Sequence, residues 1–162
     1  MNWKEREKVI PKISNDKLKK RYIKEELMRY DMYIGRCNDI KTNLDKLNER
    51  YEYERNNPNC GGSIIAVSDS SHPYNNKIIS ILSEISDVED ELKYYESKLQ
   101  KMDEWLNFIT PSQQSVIKTY VIEYQCQSVK KVSDILGISE ETVKKHLERG
   151  INRIYTKFKN NL

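Results

Sequence analysis

The sequence predicts an all-α fold: a long antiparallel helical hairpin of coiled-coil character, followed by a small domain of shorter helices. Three observations predict it. Apolar residues recur at helical steps along two long stretches, and the two step patterns mirror each other. A joint rich in turn-forming residues separates those stretches. A Thr-Pro break then introduces shorter helical patterns punctuated by one glycine. Composition agrees, since 33% of the residues are charged and only five Gly and four Pro occur. Such a chain suits helices with broad solvated faces and argues against a large core or a doubly wound sheet.

In the first stretch the apolar positions are Ile23, Leu27, Tyr30, Ile34, Cys37, Ile40, Leu44, Leu47 and Tyr51, at steps of 4, 3, 4, 3, 3, 4, 3, 4. The second stretch supplies Ile78, Leu82, Ile85, Val88, Leu92, Tyr95, Leu99, Met102 and Leu106, at steps of 4, 3, 3, 4, 3, 4, 3, 4. Read backwards, the second list reproduces the first. Pairing Tyr51 with Ile78 and continuing to Ile23 with Leu106 gives position numbers that sum to 129, with Ile40 and Val88 at 128. Two antiparallel helices meeting level by level produce this relation. The tight step lies at nearly the same height in both, so both are expected to slip phase together. Roughly 30 residues at ~1.5 Å each predict a hairpin about 45 Å long. A two-helix hairpin is marginal alone. The additional apolar residues Met28, Tyr33, Ile81 and Tyr94 therefore point to a second copy or another protein as partner.

The joint Asn56–Asn76, NNPNCGGSIIAVSDSSHPYNN, is far longer than a helix–helix turn needs. Its apolar island Ile64–Val67 offers a docking point, and a plain linker is the alternative. At Ile109-Thr110-Pro111 the pattern breaks, with Thr110 an N-cap and Pro111 at the first helical position. The chain thus divides into residues 1–109, a hairpin with loop 56–76 for oligomerisation or partner binding, and residues 110–162.

In the second part, Ser112–Gln125 forms a helix with Val116, Ile117, Tyr120 and Val121 inward. VSDILGISEETVKKHLERG follows from Val132. Ser128–Leu136 is read as a short helix burying Val129, Val132, Ile135 and Leu136. Gly137 stops it in the left-handed conformation, and the small residues Ser133 and Gly137 permit close helix crossing. Ser139 caps the next helix, Glu140 and Glu141 favour its dipole, and Val143, Leu147, Ile151 and Ile154 form its inner stripe. Helix, three-residue turn, helix are the proportions of a helix-turn-helix.

The outer face of that last helix is suited to double-stranded DNA. Ser139, Glu141, Thr142, Lys144, Lys145, His146, Glu148, Arg149, Asn152 and Arg153 project from it or cap it. Lys donates to guanine and Glu accepts from the cytosine amino group. Thr142, Lys145, Arg149 and Arg153 are placed for phosphates, with His146 at the rim.

Charge is uneven. Residues 1–109 hold 19 basic and 20 acidic side chains, hence −1; residues 110–162 hold 9 and 5, hence +4. Residues 1–24 alone hold 9 and 3, hence +6, while residues 77–109 hold 4 and 8. Basic ends fit polyanion contact. The cluster Lys19-Lys20-Arg21 with Tyr22 offers a contact to DNA flanks or is simply a charged helix start. The acidic run Asp87, Glu89, Asp90, Glu91 reads as solvated surface or a face for a basic partner.

The three cysteines, Cys37, Cys60 and Cys126, have no metal-ligand spacing, so neither a zinc site nor a disulfide framework is expected. No signal peptide is read, and no window approaches the ~18 apolar residues of a membrane span, so a cytoplasmic protein without membrane contact is expected. Gly61-Gly62 lacks the Lys-Ser/Thr of a phosphate loop. Cys60 and His72 share the joint, but nothing orders them or supplies an oxyanion hole. Neither enzymatic activity nor a cofactor is expected.

TPSQQSVIKTYV followed by KKVSDILGISEETVKKHLERGINRIYTKF resembles region 4 of bacterial sigma factors, and also the helix-turn-helix of LuxR/GerE-type regulators. The resemblance covers about residues 108–158 and is most specific over ISEETVKKHL. It implies a DNA-binding domain whose recognition helix starts at Ser139. No receiver domain, autoinducer-binding domain or sigma region 2 is read before it. The helical hairpin ahead of such a domain is similar to RinA/ArpU-type late-gene activators of phages and prophages. That similarity implies a transcription activator that binds upstream of a late operon and contacts host RNA polymerase. A second reading is a DNA-packaging adaptor like a small terminase subunit, which also joins a helix-turn-helix to a helical oligomerisation region.

Overall fold

The computed structural model describes residues 16–57 and 73–162. The expected joint, including Cys60, Ile64–Val67 and His72, lies largely outside the described residues. So do the basic side chains Lys4, Arg6, Lys8 and Lys12 counted in the N-terminal cluster.

The fold is all-α, as the sequence predicts. Its elements are α1 (Asp16–Met28), α2 (Tyr30–Asn56), α3 (Pro73–Phe108), α4 (Pro111–Ile117) continuing as π-helical turns (Lys118–Glu123), α5 (Val129–Leu136), α6 (Glu140–Phe158) and a final 3₁₀ turn (Lys159–Asn161). Among the described residues no helix is long and apolar enough to cross a membrane.

Two features of the long helices differ from the sequence reading. The first helix is not continuous: Arg29 separates α1 from α2. Its N–H donates to Glu26 O at 2.9 Å, a tightened i→i−3 bond. Its guanidinium reaches the Glu26 carboxylate at 3.1 Å. The expected tight step is also displaced. Tyr33 rather than Ile34, and Ile81 rather than Leu82, turns inward; Ile34 is 38% and Leu82 45% exposed, while Ile81 is 1% exposed. With those two exchanges the stripes run Tyr30, Tyr33, Cys37, Ile40, Leu44, Leu47, Tyr51 and Ile78, Ile81, Ile85, Val88, Leu92, Tyr95, Leu99, Met102. Within α2 and α3 both are then unbroken 3, 4 heptad patterns, and the tight step, Leu27-Tyr30-Tyr33, falls at the Arg29 break. The Tyr33 hydroxyl donates to the buried Glu26 carboxylate at 3.3 Å, which satisfies the polar tip that turning inward desolvates.

Among the described residues, packing groups residues 16–34 with 97–162 in one compact unit and residues 35–57 with 73–96 in the other. Within Gly35–Glu96 the helices run antiparallel. Arg36 pairs with Glu91 at 2.8 Å, and further along α2 Glu54 pairs with Lys77, earlier on α3. Lys41 and Glu96 form a longer diagonal bridge at 3.0 Å. Cys37 is buried and free, and burial pushes its thiol pKa up.

In the other unit Ile23, Leu27, Met102, Trp105, Leu106, Val116, Ile117, Val121 and Ile154 are almost completely buried. α6 lies at the centre and packs against α1, α4 and α5. Two lysines close its C-terminal end: Lys19 Nζ donates to Lys159 O at 2.7 Å and Lys101 Nζ to Asn161 O at 3.2 Å. They supply donors that the last turn of a helix lacks internally. Lys101 also stands over the Trp105 and Tyr22 rings, 5.2 and 5.7 Å from the centroids. Burial, with Lys98 nearby, lowers its pKa.

Candidate nucleic-acid interface

The helix-turn-helix starts from local chemistry. Thr110 and Gln113 form a reciprocal capping box at the head of α4, with Pro111 inside it. After Ile117 the chain widens into π turns, marked by the Tyr124 N–H donating to Thr119 O at 3.0 Å. This buries Thr119, Val121 and Ile122. Gln125 and Cys126 then take left-handed conformations, φ 48° and 62°. They are held by the Gln125 amide on Ile122 O at 2.7 Å and the Tyr120 hydroxyl on Cys126 O at 3.1 Å.

Ser128 caps α5, accepting from Lys131 N–H at 3.2 Å. Gly137 ends α5 at φ 64°, ψ 31°, where a side chain costs conformational energy. Ser133 Oγ donates to Ile138 O at 2.6 Å and fixes the turn from within. Ser139 caps α6, accepting from Thr142 N–H at 3.1 Å, and its hydroxyl lies 2.8 Å from Thr142 Oγ1. The turn is therefore the predicted Gly137-Ile138-Ser139.

Three buried valines, Val116, Val132 and Val143, one from each helix, form the core, with Tyr120, Tyr124, Val129, Leu136, Ile138 and Leu147 around them. Ile135 is not in this core. It is 55% exposed, because Val129, Val132 and Leu136 already define the inner face and Ile135 sits on its far edge. The close crossing also lies elsewhere than expected. A β-carbon on Gly137 would meet nothing within 4 Å, whereas one on Gly150 would stand 2.8 Å from Ile117 Cδ1 and 3.5 Å from Gln113 Cβ. Gly150 lets α6 cross α4 closely; Gly137 serves only the turn.

The side chains singled out in the sequence share the outer side of α6. Ser139, Glu141, Lys144, Lys145, Glu148, Arg149 and Arg153 are exposed; Thr142, His146 and Asn152 are half-buried. Several are engaged within the protein, Ser139 with Thr142 as described above. Lys145 pairs with Glu141 at 2.7 Å, an exposed i,i+4 pair of small energetic value. Arg153 stacks over Phe108, with Cζ 5.9 Å from the ring centroid, beside Lys157 at 5.8 Å. Phe108 in turn meets Phe158 edge to face at 5.7 Å. Arg153 remains exposed beside this aromatic contact. His146 is turned partly inward, its Nδ1 enclosed without a hydrogen-bond partner among the described residues.

Sequence reading did not foresee the place of α1. Asp16 accepts from the Tyr155 hydroxyl, Lys20 Nζ lies 5.2 Å from the Tyr155 ring centroid, and Lys24 lies 5.8 Å from that of Tyr120. Gln125 of the π-turn exit also donates to Met28 O at 2.9 Å. The only signal available was the charge of the Lys19-Lys20-Arg21 cluster.

The family model for sigma-70, region 4 matches residues 105–156, which span the end of α3, α4, the π turns, α5 and most of α6. The C-terminal part of the chain is thus a helix-turn-helix domain similar to that family. No curated protein matches the chain, and no solved structure matches it.

Proposed function

With similarity to sigma-70 region 4 as the premise, we propose that the chain is a sequence-specific DNA-binding transcription regulator that inserts the start of α6 into the major groove. The observation that supports this reading most is the exposed row Glu141, Lys144, Lys145 and Glu148, presented by a helix capped at Ser139 and locked to α5 through Ser133. Side chains of this kind at the N-terminal end of a recognition helix reach base edges. Lys144 and Glu148 are the base readers; Thr142, Lys145, Arg149 and Arg153 serve phosphates, and His146 lies at the rim. The finer reading is a phage or prophage late-gene activator that contacts host RNA polymerase. The paired helices of Gly35–Glu96 would serve a partner or a second copy.

Selection of bound sequences from random duplexes tests the proposal. A regulator enriches one motif, and that motif falls upstream of neighbouring genes. Enrichment of no motif, with binding that depends on salt alone, contradicts it. Mass in solution separates the packaging alternative, for which a multi-subunit ring is expected rather than a monomer or dimer.

A further inference from the structure

The basic start of α1 lies against the C-terminal half of the helix assigned above to the groove. At 3.6 residues per turn, Tyr155 and Lys159 fall within roughly 60° of Lys144 around α6. Both touch α1, through Asp16 and Lys20 at Tyr155 and through Lys19 at Lys159. Arg149 and Arg153 point well away from that line, roughly 140° and 180° from Lys144. The first turns of α1, with Lys17, Lys19, Lys20, Arg21 and Lys24, therefore continue the line of Lys144 and Glu148 farther along α6, while Arg149 and Arg153 lie on its flank.

A helix lying in a major groove has a phosphate strand on each side. We propose that α1 is a second backbone clamp, whose Lys17, Lys20 and Arg21 contact phosphates that flank the groove beyond the bases met by Lys144 and Glu148. The inference rests on α6 being the groove-entering helix. The two carboxylates on this part of α1 are both engaged: Asp16 by the Tyr155 hydroxyl and Glu25 by Arg21 at 2.7 Å. Lys20 is held over the Tyr155 ring, which orders its ammonium group before any ligand arrives. Such contacts carry affinity and orientation but no base information.

The test compares the full-length wild type with Lys17→Gln/Lys20→Gln/Arg21→Gln on the preferred duplex and on a random duplex, across a range of salt concentrations. Each lost phosphate contact lowers the slope of log Kd against log salt by about 0.9. The expected result is a slope reduced by about 1–3, equal weakening on both duplexes, and unchanged base preference. Lys20→Arg should retain the wild-type slope. An unchanged slope in the triple variant, with wild-type preference intact, overturns the clamp. A change seen on single-stranded RNA but not on duplex DNA overturns it as well. If the triple variant melts early, Lys17→Gln/Arg21→Gln, at two exposed positions, decides by the same slope. Lys144→Ala separates the two claims, because it should alter preference and leave the slope intact. If it leaves preference unchanged, the assignment of α6 fails and the clamp beside it fails too, whereas altered preference with an unchanged slope in the triple variant overturns the clamp alone.

Discussion

Gly150 and Ile117 mark the point where α6 crosses α4: a β-carbon at Gly150 would lie 2.8 Å from Ile117 Cδ1. Ile117 is completely buried, so the methyl has little room to withdraw. Gly150→Leu should cost about 1–3 kcal/mol through overpacking. Gly150→Ala should be much milder, because a helix-propensity gain of about 1 kcal/mol offsets the displacement of one methyl. Chemical denaturation of both variants checks the order. A Leu variant as stable as wild type would mean that the helices are not in close contact there.

The turn between α5 and α6 makes a second, independent prediction. Gly137 has φ 64° with open space around it, so the penalty for a side chain is conformational and not steric. Gly137→Ala should lose about 1 kcal/mol or slightly more. Ser139→Ala should lose about 1 kcal/mol through the missing cap on Thr142 N–H. Gly137→Asn should recover part of the loss, since Asn tolerates the left-handed region. Melting curves on the three variants measure this. Equal effects of Ala and Asn would remove the backbone explanation.

The heptad pattern is tested by a neighbouring pair. Ile81→Ala should cost about 2–5 kcal/mol, as for other buried aliphatic truncations. Leu82→Ala, at a position 45% exposed, should stay within about 0.5 kcal/mol of wild type. The stripe with a tight step would give the opposite order, so urea midpoints of the two variants choose between the two phases.

Tyr30 donates to Asp103 at 2.6 Å, and that bond, with burial adding to it, pushes the tyrosine pKa up to about 12. A folded-state value above the unfolded one means that the contribution is complete below pH ~10. It is then lost as pH rises from about 10 to about 12. Stability of the wild type should therefore fall across that window more steeply than that of Tyr30→Phe. Parallel alkaline melting series provide the comparison, and identical slopes would refute the coupling.

The sequence made the caps and the turn legible because each depends on neighbours a few residues apart. Thr110 with Pro111 and Gln113, and Gly137 with Ser139, carry their geometry in local side-chain chemistry. The choice between Tyr33 and Ile34, or Ile81 and Leu82, was not legible by hydropathy, since both members of each pair are apolar. The widening after Ile117 follows from packing of Thr119, Val121 and Ile122, which no local pattern announces. Ile135 was misplaced because a short amphipathic helix leaves one edge residue free to face either way. The docking of α1 onto Tyr155 and Lys159 joins residues about 140 positions apart, beyond any periodicity argument.

The central claim is that the first turns of α6 read bases, and binding of the full chain to its selected duplex tests it most directly. Lys144→Ala should weaken that duplex by about 1–3 kcal/mol, roughly 5- to 150-fold in Kd, and leave random DNA nearly unaffected. Equal affinity of wild type and Lys144→Ala for the selected duplex, with Lys145→Ala and Glu148→Ala also silent, would contradict the account.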